Sequence, residues 1–284
     1  MTAQQRDYLA ISQQIEQLLV RQNLRGMATL QPHLTPGYIL RAATLLNQCQ
    51  GTVLIGTGFP VLDTFETDGP VGAIGLYQLL QQLGAKPIIV CGDPLYSALK
   101  ADYQCYQISV NQYDALPAIA SAALAEIKPQ LVISIERPGF NADMRYCNMR
   151  GEDISARCAS FDYFISQATC PTIGIGDGGN EIGMGNLLQA VSALNITPCV
   201  TQCDELIVAD VSNWAAWGIA AMVSVLRGEN LLAGAAPLTI LQYLSAKGSV
   251  DGVTRLNTLT EDGLAHTEGL RLIKDLNTVI QSTD

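Results

Sequence analysis

Leu131-Val132-Ile133-Ser134-Ile135 is a five-residue run in which a single small hydroxyl interrupts the apolar side chains. A strand with one wet face alternates apolar and polar residues. This run does not alternate, so both of its faces are expected to be covered. Four comparable runs recur along the chain: Val53-Leu54-Ile55, Pro87-Ile88-Ile89-Val90-Cys91, Thr172-Ile173-Gly174-Ile175 and Leu206-Ile207-Val208-Ala209. Helical patterns separate or follow them, at residues 71–83, 94–101, 114–127, 154–168, 213–227, 237–247 and 268–281. Gly84, Gly228 and Gly248 stand where three of these helices should stop, Pro237 where one should start, and Asp153 and Ser212 where two should be capped. On the last helix, Leu270, Ile273, Leu276 and Ile280 share an apolar face. Apolar runs alternating with helices give an α/β fold, a mostly parallel sheet flanked by helices.

Residues 1–49 read as an N-terminal helical extension. Tyr8, Ile11, Ile15, Leu18 and Leu19 recur at helical spacing, and Thr35-Pro36 opens a second helix that runs to about residue 48. There is no linker, low-complexity tract or internal repeat. One α/β domain over residues 1–284, with the extension packed on it, is the expected organisation.

Composition narrows the function. Of 284 residues, 48% are hydrophobic and 15% are charged, enough apolar material for a substantial core. The formal net charge of -10 disfavours nucleic acid and anionic lipid surfaces as partners. Eight cysteines without a C-x-x-C pair read as reduced thiols, and two histidines are too few for a histidine-rich metal site. The start, Met-Thr-Ala-Gln-Gln-Arg-Asp-Tyr, has no apolar targeting core, so a cytoplasmic location is expected. Apolar helices at both ends are compatible with a homo-oligomer.

In open parallel sheets, ligands bind beyond the carboxyl ends of the strands. The long polar loops of this chain all follow predicted strands. After residues 53–55 come Glu66 and Asp68; acids spaced by two suit acid–base work or a divalent cation. After 131–135 come Glu136-Arg137, then Asn148 and Arg150; arginine is the usual bidentate binder of carboxylates. After 206–209 come Ser212-Asn213-Trp214. After 172–175 comes Gly174-Ile175-Gly176-Asp177-Gly178-Gly179-Asn180-Glu181-Ile182-Gly183-Met184-Gly185. This block fits G-x-G-x-x-G, but Asp177 and Glu181 would repel a pyrophosphate, and the acids read for the next strand, Asp204 and Glu205, precede it. Its glycines instead let the backbone approach a small ligand closely.

These blocks, together with Phe65-Glu66-Thr67-Asp68-Gly69-Pro70 and Asn148-Met149-Arg150-Gly151, resemble the D-glutamate cyclase family, in order, from about residue 25 to the C-terminus. In animals that family's domain forms the C-terminal part of a longer mitochondrial protein, whereas this chain resembles stand-alone bacterial members. The resemblance implies a hydro-lyase that closes D-glutamate to 5-oxo-D-proline with loss of water. The acid-rich loops match the demands of such a substrate. Asp177, with Glu181 as second choice, is the expected base for the amine. Glu66 and Asp68 are the expected acids, or, with Asp177, ligands of a divalent cation, magnesium or manganese. Arg137 and Arg150 are expected on the substrate carboxylates, with Glu136, Asn148 and Asn213 also facing the ligand. The N–H groups of Gly178, Gly179 and Asn180 are expected on the developing oxyanion. Two other readings fit the same loops: a non-catalytic receptor for an acidic amino acid or a sugar phosphate, and another lyase or hydrolase acting on a small carboxylic acid.

Overall fold

The computed structural model describes residues 7–112 and 114–282. The leading stretch, read above for a targeting signal, falls largely on residues 1–6 and lies outside the described residues. Six strands form one sheet: β1 (Thr52–Thr57), β2 (Lys86–Cys91), β3 (Cys105–Gln107), β4 (Leu131–Ile135), β5 (Thr172–Gly176) and β6 (Glu205–Val208). Their order is β3-β2-β1-β4-β5-β6, and every pairing is parallel. The five apolar runs supply five of these strands. Successive side chains point to opposite faces, and both faces are buried. Val53, Ile55, Ile89 and Ile133 enter one core, while Leu54, Val90 and Val132 enter the other. β3 was not expected: it has three residues, partly exposed at the sheet edge, and carries no pattern to read.

The longer helices are α1 (Tyr8–Leu19), α2 (Tyr38–Gln48), α3 (Pro70–Gln82), α4 (Leu116–Ile127), α5 (Ser212–Arg227), α6 (Pro237–Ala246) and α7 (His266–Gln281). α5 is buried along nearly its whole length and packs against α1, α2, α3 and α7, so the N-terminal helices share the larger core. α4 and the short helix Asp162–Ser166 cover the opposite face. Among the described residues, no helix is long and apolar enough to cross a membrane. All eight cysteines are free.

Four local expectations are corrected. The helix expected over 154–168 is a 3-10 turn, Ser155–Arg157, then extended chain, then Asp162–Ser166. Tertiary bonding prevails there. Buried Asp162 accepts from Phe140 N, Tyr146 Oη, Ser160 Oγ and Thr201 Oγ1, which ties down the long loop after β4. The cap of α2 is Gly37 rather than Thr35, and the acceptor for its first N–H groups is Glu16 of α1, bonded to Gly37 N (3.3 Å) and Ile39 N (3.2 Å). Ser212 lies inside the first turn of α5, not at its cap, and its hydroxyl is used elsewhere. On α7 the buried positions are Gly269, Leu272, Leu276 and Ile280, while Leu270 is exposed.

Strand order fixes where a ligand can enter. The chain runs outward from β1 to β3, then returns to the other side of β1 with β4. Beyond the carboxyl ends of β1 and β4 the connecting loops part, and a crevice opens at that switch point.

Candidate active site

Three strand ends deliver acids to the crevice. β1 leads through a short hairpin, Pro60–Val61 with Thr64–Phe65, into Glu66 and Asp68. Glu66 is held extended by pairing with Val250: Val250 N donates to Phe65 O (3.0 Å) and Thr67 N to Val250 O (2.8 Å). β4 leads directly into Glu136, whose φ of 45° is unusual for a residue with a side chain and turns its carboxyl toward Ser212 Oγ (2.6 Å). β5 leads into Asp177 and Glu181. A fourth segment, the hairpin Thr260–Glu261 with Leu264–Ala265, brings Asp262 in at its turn. Asp262 and Gly263 both have positive φ, the geometry of a two-residue Asp-Gly hairpin.

Glu66, Asp68, Glu136, Asp177 and Glu181 are all buried, and Asp262 nearly so. Burial pushes the carboxyls of Glu66, Asp68, Glu136 and Asp177 well above the usual range, and the neighbouring acids push them further. Burial also raises Glu181, against the N–H groups around it. Asp262 is the exception. Burial opposes its charge, but the Arg25 guanidinium and hydrogen bonds shared with Asp177 and Asp68 outweigh burial and hold it low. Arg25 Nη2 contacts both Asp177 Oδ2 and Asp262 Oδ2. So these six carboxyls share one guanidinium, and most must carry protons or face a further cation. Oxygens of Asp68, Glu136 and Asp177 lie within 4.8 Å of one another, and this oxygen-only, buried set suits magnesium or manganese.

A cavity of about 370 Å³ opens above the acids. Glu66, Glu136, Asp177 and Asp262 reach it from below, and Arg150, Arg157 and Arg255 stand around its mouth. Asn180 also lines it. Asn180 Nδ2 donates to Cys147 O (3.0 Å), and its buried Oδ1 has no donor among the described residues. Glu181 Oε1 is likewise buried without a hydrogen-bond partner.

The model of the family described as "D-glutamate cyclase-like, C-terminal" matches residues 15–277. The chain belongs to this family. Human mitochondrial D-glutamate cyclase is 30% identical over 215 residues, which covers 66% of this chain and 35% of that protein. The chain thus spans about a third of its curated relative. Among solved structures, an exopolyphosphatase-related protein from Bacteroides fragilis superposes with a TM-score of 0.44 at 11% identity, over 87% of this chain and 56% of that one. That likeness bears on neither fold nor chemistry.

Within this family member, the expected site residues fall into two groups. Glu66, Glu136, Asp177, Asn180, Asn148 and Arg150 line the cavity. Asn148 is also occupied as a turn residue: its Oδ1 accepts from Arg150 N and Glu152 N, and its Nδ2 donates to Glu152 Oε2 (2.6 Å). Four residues are engaged elsewhere. Arg137 Nη1 donates to Thr57 O (2.8 Å) and Gly58 O (3.2 Å) and Nη2 to Ala159 O, so its guanidinium clamps backbone instead of facing the acids. Asn213 is wholly buried between two helix starts and Glu261. Asp68 Oδ1 accepts from Gly69 N and Asn213 N and its Oδ2 from Ser212 N, which makes Oδ2 the freer oxygen for a cation. Gly179 N–H donates to Glu181 Oε2 (2.7 Å), so it is committed before any oxyanion arrives. In the carboxylate triad, Glu136 takes the place expected of Glu66.

Four cavity residues were not anticipated. Arg25 sits between helices, with no local pattern to mark it. Asp262 had a cue, the Asp-Gly pair between short β-forming stretches. Arg157 and Arg255 are rim residues that only the folded loops bring to one mouth. Arg157 Nη1 holds Leu62 O (2.5 Å), and Arg255 Nη2 holds Glu152 Oε2 (3.1 Å).

Proposed function

We propose that this protein is a carbon–oxygen hydro-lyase that converts D-glutamate to 5-oxo-D-proline and water. One observation carries the reading: a cavity with carboxyl groups as its floor and arginines at its rim. A simple anion receptor has no use for buried acids, and a cation receptor has none for three rim arginines. A substrate with an ammonium and two carboxylates uses both. The similarity to human mitochondrial D-glutamate cyclase supports the same reaction.

In this reading the rim arginines Arg150, Arg157 and Arg255 bind the α-carboxylate, and the ammonium and γ-carboxyl descend onto the floor. Asp177, paired with Arg25, takes a proton from the ammonium. The freed amine attacks the γ-carbon, so a C–N bond forms and a C–O bond breaks. A protonated floor acid, Glu66 or Glu136, gives its proton to the departing oxygen. The two protons lost from nitrogen leave with that oxygen as water, and the acids return to their starting state. Asn180 Oδ1, which lines the cavity and has no donor among the described residues, is the acceptor that fits the remaining N–H. A divalent cation held by the ionised Asp68, Glu136 and Asp177 would be an alternative to this proton route and would polarise the γ-carboxyl in its place. Holding amine and γ-carboxyl in contact contributes further rate.

The test is direct. Purified protein is incubated with D- or L-glutamate, with and without Mn²⁺, and 5-oxoproline is resolved by chiral chromatography. Product from D-glutamate is expected. Glutamate binding by calorimetry without product would instead favour the receptor reading.

A further inference from the structure

Among the described residues, the one guanidinium that meets the floor acids comes from a part of the chain distant in sequence. Arg25 lies between α1 and α2. Its Nη2 contacts Asp262 Oδ2 (2.5 Å) and Asp177 Oδ2, and its Nε reaches Asp177 O (3.4 Å). One nitrogen seated between carboxylates from two separate loops is the contact pattern of a bridging metal ion, made here by an organic cation.

The loop that carries Arg25 is fixed in place. Asp210, just past β6, accepts Gln22 N (2.7 Å) and Leu24 N (3.3 Å), and its own N–H donates to Leu19 O (2.7 Å). Gln22 Nε2 reaches Glu268 Oε2 (3.3 Å), and Arg21 pairs with Asp275. The guanidinium is therefore delivered to a set position. A buried ion pair is a poor way to gain stability, since apolar packing commonly does as well. This pair also lines the cavity, where a purely structural pair has no reason to be.

We infer that Arg25 is a positioning residue of this site, a built-in cation that gathers Asp177 and Asp262, so that the N-terminal segment belongs to the active centre. The inference rests on the D-glutamate reading for its catalytic consequence. It also has a consequence that needs no turnover. Asp177 belongs to the carboxylate triad as well, so Arg25 and a divalent cation compete for the same carboxylate.

The experiment compares wild type, Arg25→Gln, and Arg21→Gln as a control on the same loop. Arg25→Met keeps the packing of the stem and replaces Arg25→Gln should that variant not fold. Mn²⁺ binding is measured by calorimetry at one pH. Removing a positive charge a few ångströms from the triad should tighten binding at least about tenfold, with the control unchanged. Turnover is then measured: kcat should fall about 10- to 100-fold with KM nearly unchanged, and added guanidinium ion should restore part of it. A structural role would leave Mn²⁺ binding unchanged or weaker, and that result overturns the inference. So does unchanged kcat in a variant that has lost the charge. If wild type makes no 5-oxoproline, the D-glutamate reading fails and the Mn²⁺ comparison alone decides the role of Arg25.

Discussion

Asp68 and Asn213 each cap the helix that the other one opens. Asp68 Oδ1 and Oδ2 accept from Asn213 N (2.7 Å) and Ser212 N (2.8 Å) at the start of α5. Asn213 Oδ1 accepts from Gly69 N (2.9 Å) and Gly72 N (2.6 Å) at the start of α3. Two strand-end loops from opposite halves of the sheet are thereby locked together beneath the cavity. The approach is close enough that a Cβ on Gly69, which has a φ of 88°, would collide with Glu136 Cβ. Asn213→Ala would orphan Gly72 N and Glu261 Oε1 in a buried place. We expect it to cost about 3 kcal/mol, read as a fall in the urea midpoint. A midpoint within error of wild type would show that the double cap is not needed.

Glu261 gives stability a pH dependence. Burial pushes its carboxyl up to about 7, against the hydrogen bond from Asn213 Nδ2 (2.7 Å) that favours the charge. The folded pKa is raised, so between the unfolded value and about 7 the folded chain holds a proton that the unfolded chain releases. Stability from this group is complete below the unfolded carboxylate value and is lost as pH rises to about 7. The span is on the order of 3 kcal/mol. Glu66, Asp68, Glu136 and Asp177 are raised too and add the same sign; Asp262 is lowered and opposes it. Denaturation at pH 5 and pH 8 should therefore show wild type weaker at pH 8, and Glu261→Gln should shrink the difference. An equal difference in both proteins would remove Glu261 as its source.

The sheet was legible because its central strands are buried on both faces, which writes continuous apolar runs such as Leu131–Ile135 into the sequence. β3 left no such record, because three partly exposed edge residues carry no period. The stretch 154–168 has helical spacing, but Asp162 accepts three hydrogen bonds from other segments, and that tertiary demand breaks the helix. The site was legible as far as strand ends define it: Glu66, Asp68, Glu136 and Asp177 follow β1, β4 and β5 and do meet. Arg137 was misplaced because an arginine beside an acid looks the same in sequence whether it faces a ligand or clamps backbone carbonyls. Arg25, Arg157 and Arg255 reach the cavity through loop packing alone, which no local pattern encodes.

Floor and rim should separate kinetically. Asp177→Asn keeps the shape and the Arg25 contact but removes the base, so kcat should fall at least about 100-fold while glutamate still binds. If the rim binds the α-carboxylate as proposed, Arg150→Gln, Arg157→Gln or Arg255→Gln removes one of its charged partners. Each should raise KM about tenfold or more with a smaller effect on kcat. Steady-state assays of the four variants, with circular dichroism to verify folding, decide the matter. A rim variant that loses kcat at unchanged KM would move that arginine from binding to chemistry.

Cation binding should be linked to protons. The triad Asp68, Glu136 and Asp177 has carboxyls raised first by burial, so each keeps its proton to a higher pH than a free carboxyl does. A divalent cation needs their ionised oxygens and must displace those protons. Below the raised pKa values the competition is strong, and above them it vanishes. Mn²⁺ affinity should therefore rise with pH, and the number of protons released per ion should decline over the same range. Calorimetry in two buffers of different ionisation enthalpy counts those protons directly. The same titration on Glu136→Gln should show weaker binding and fewer protons released. A pH-independent affinity with no proton release would place the cation away from this triad.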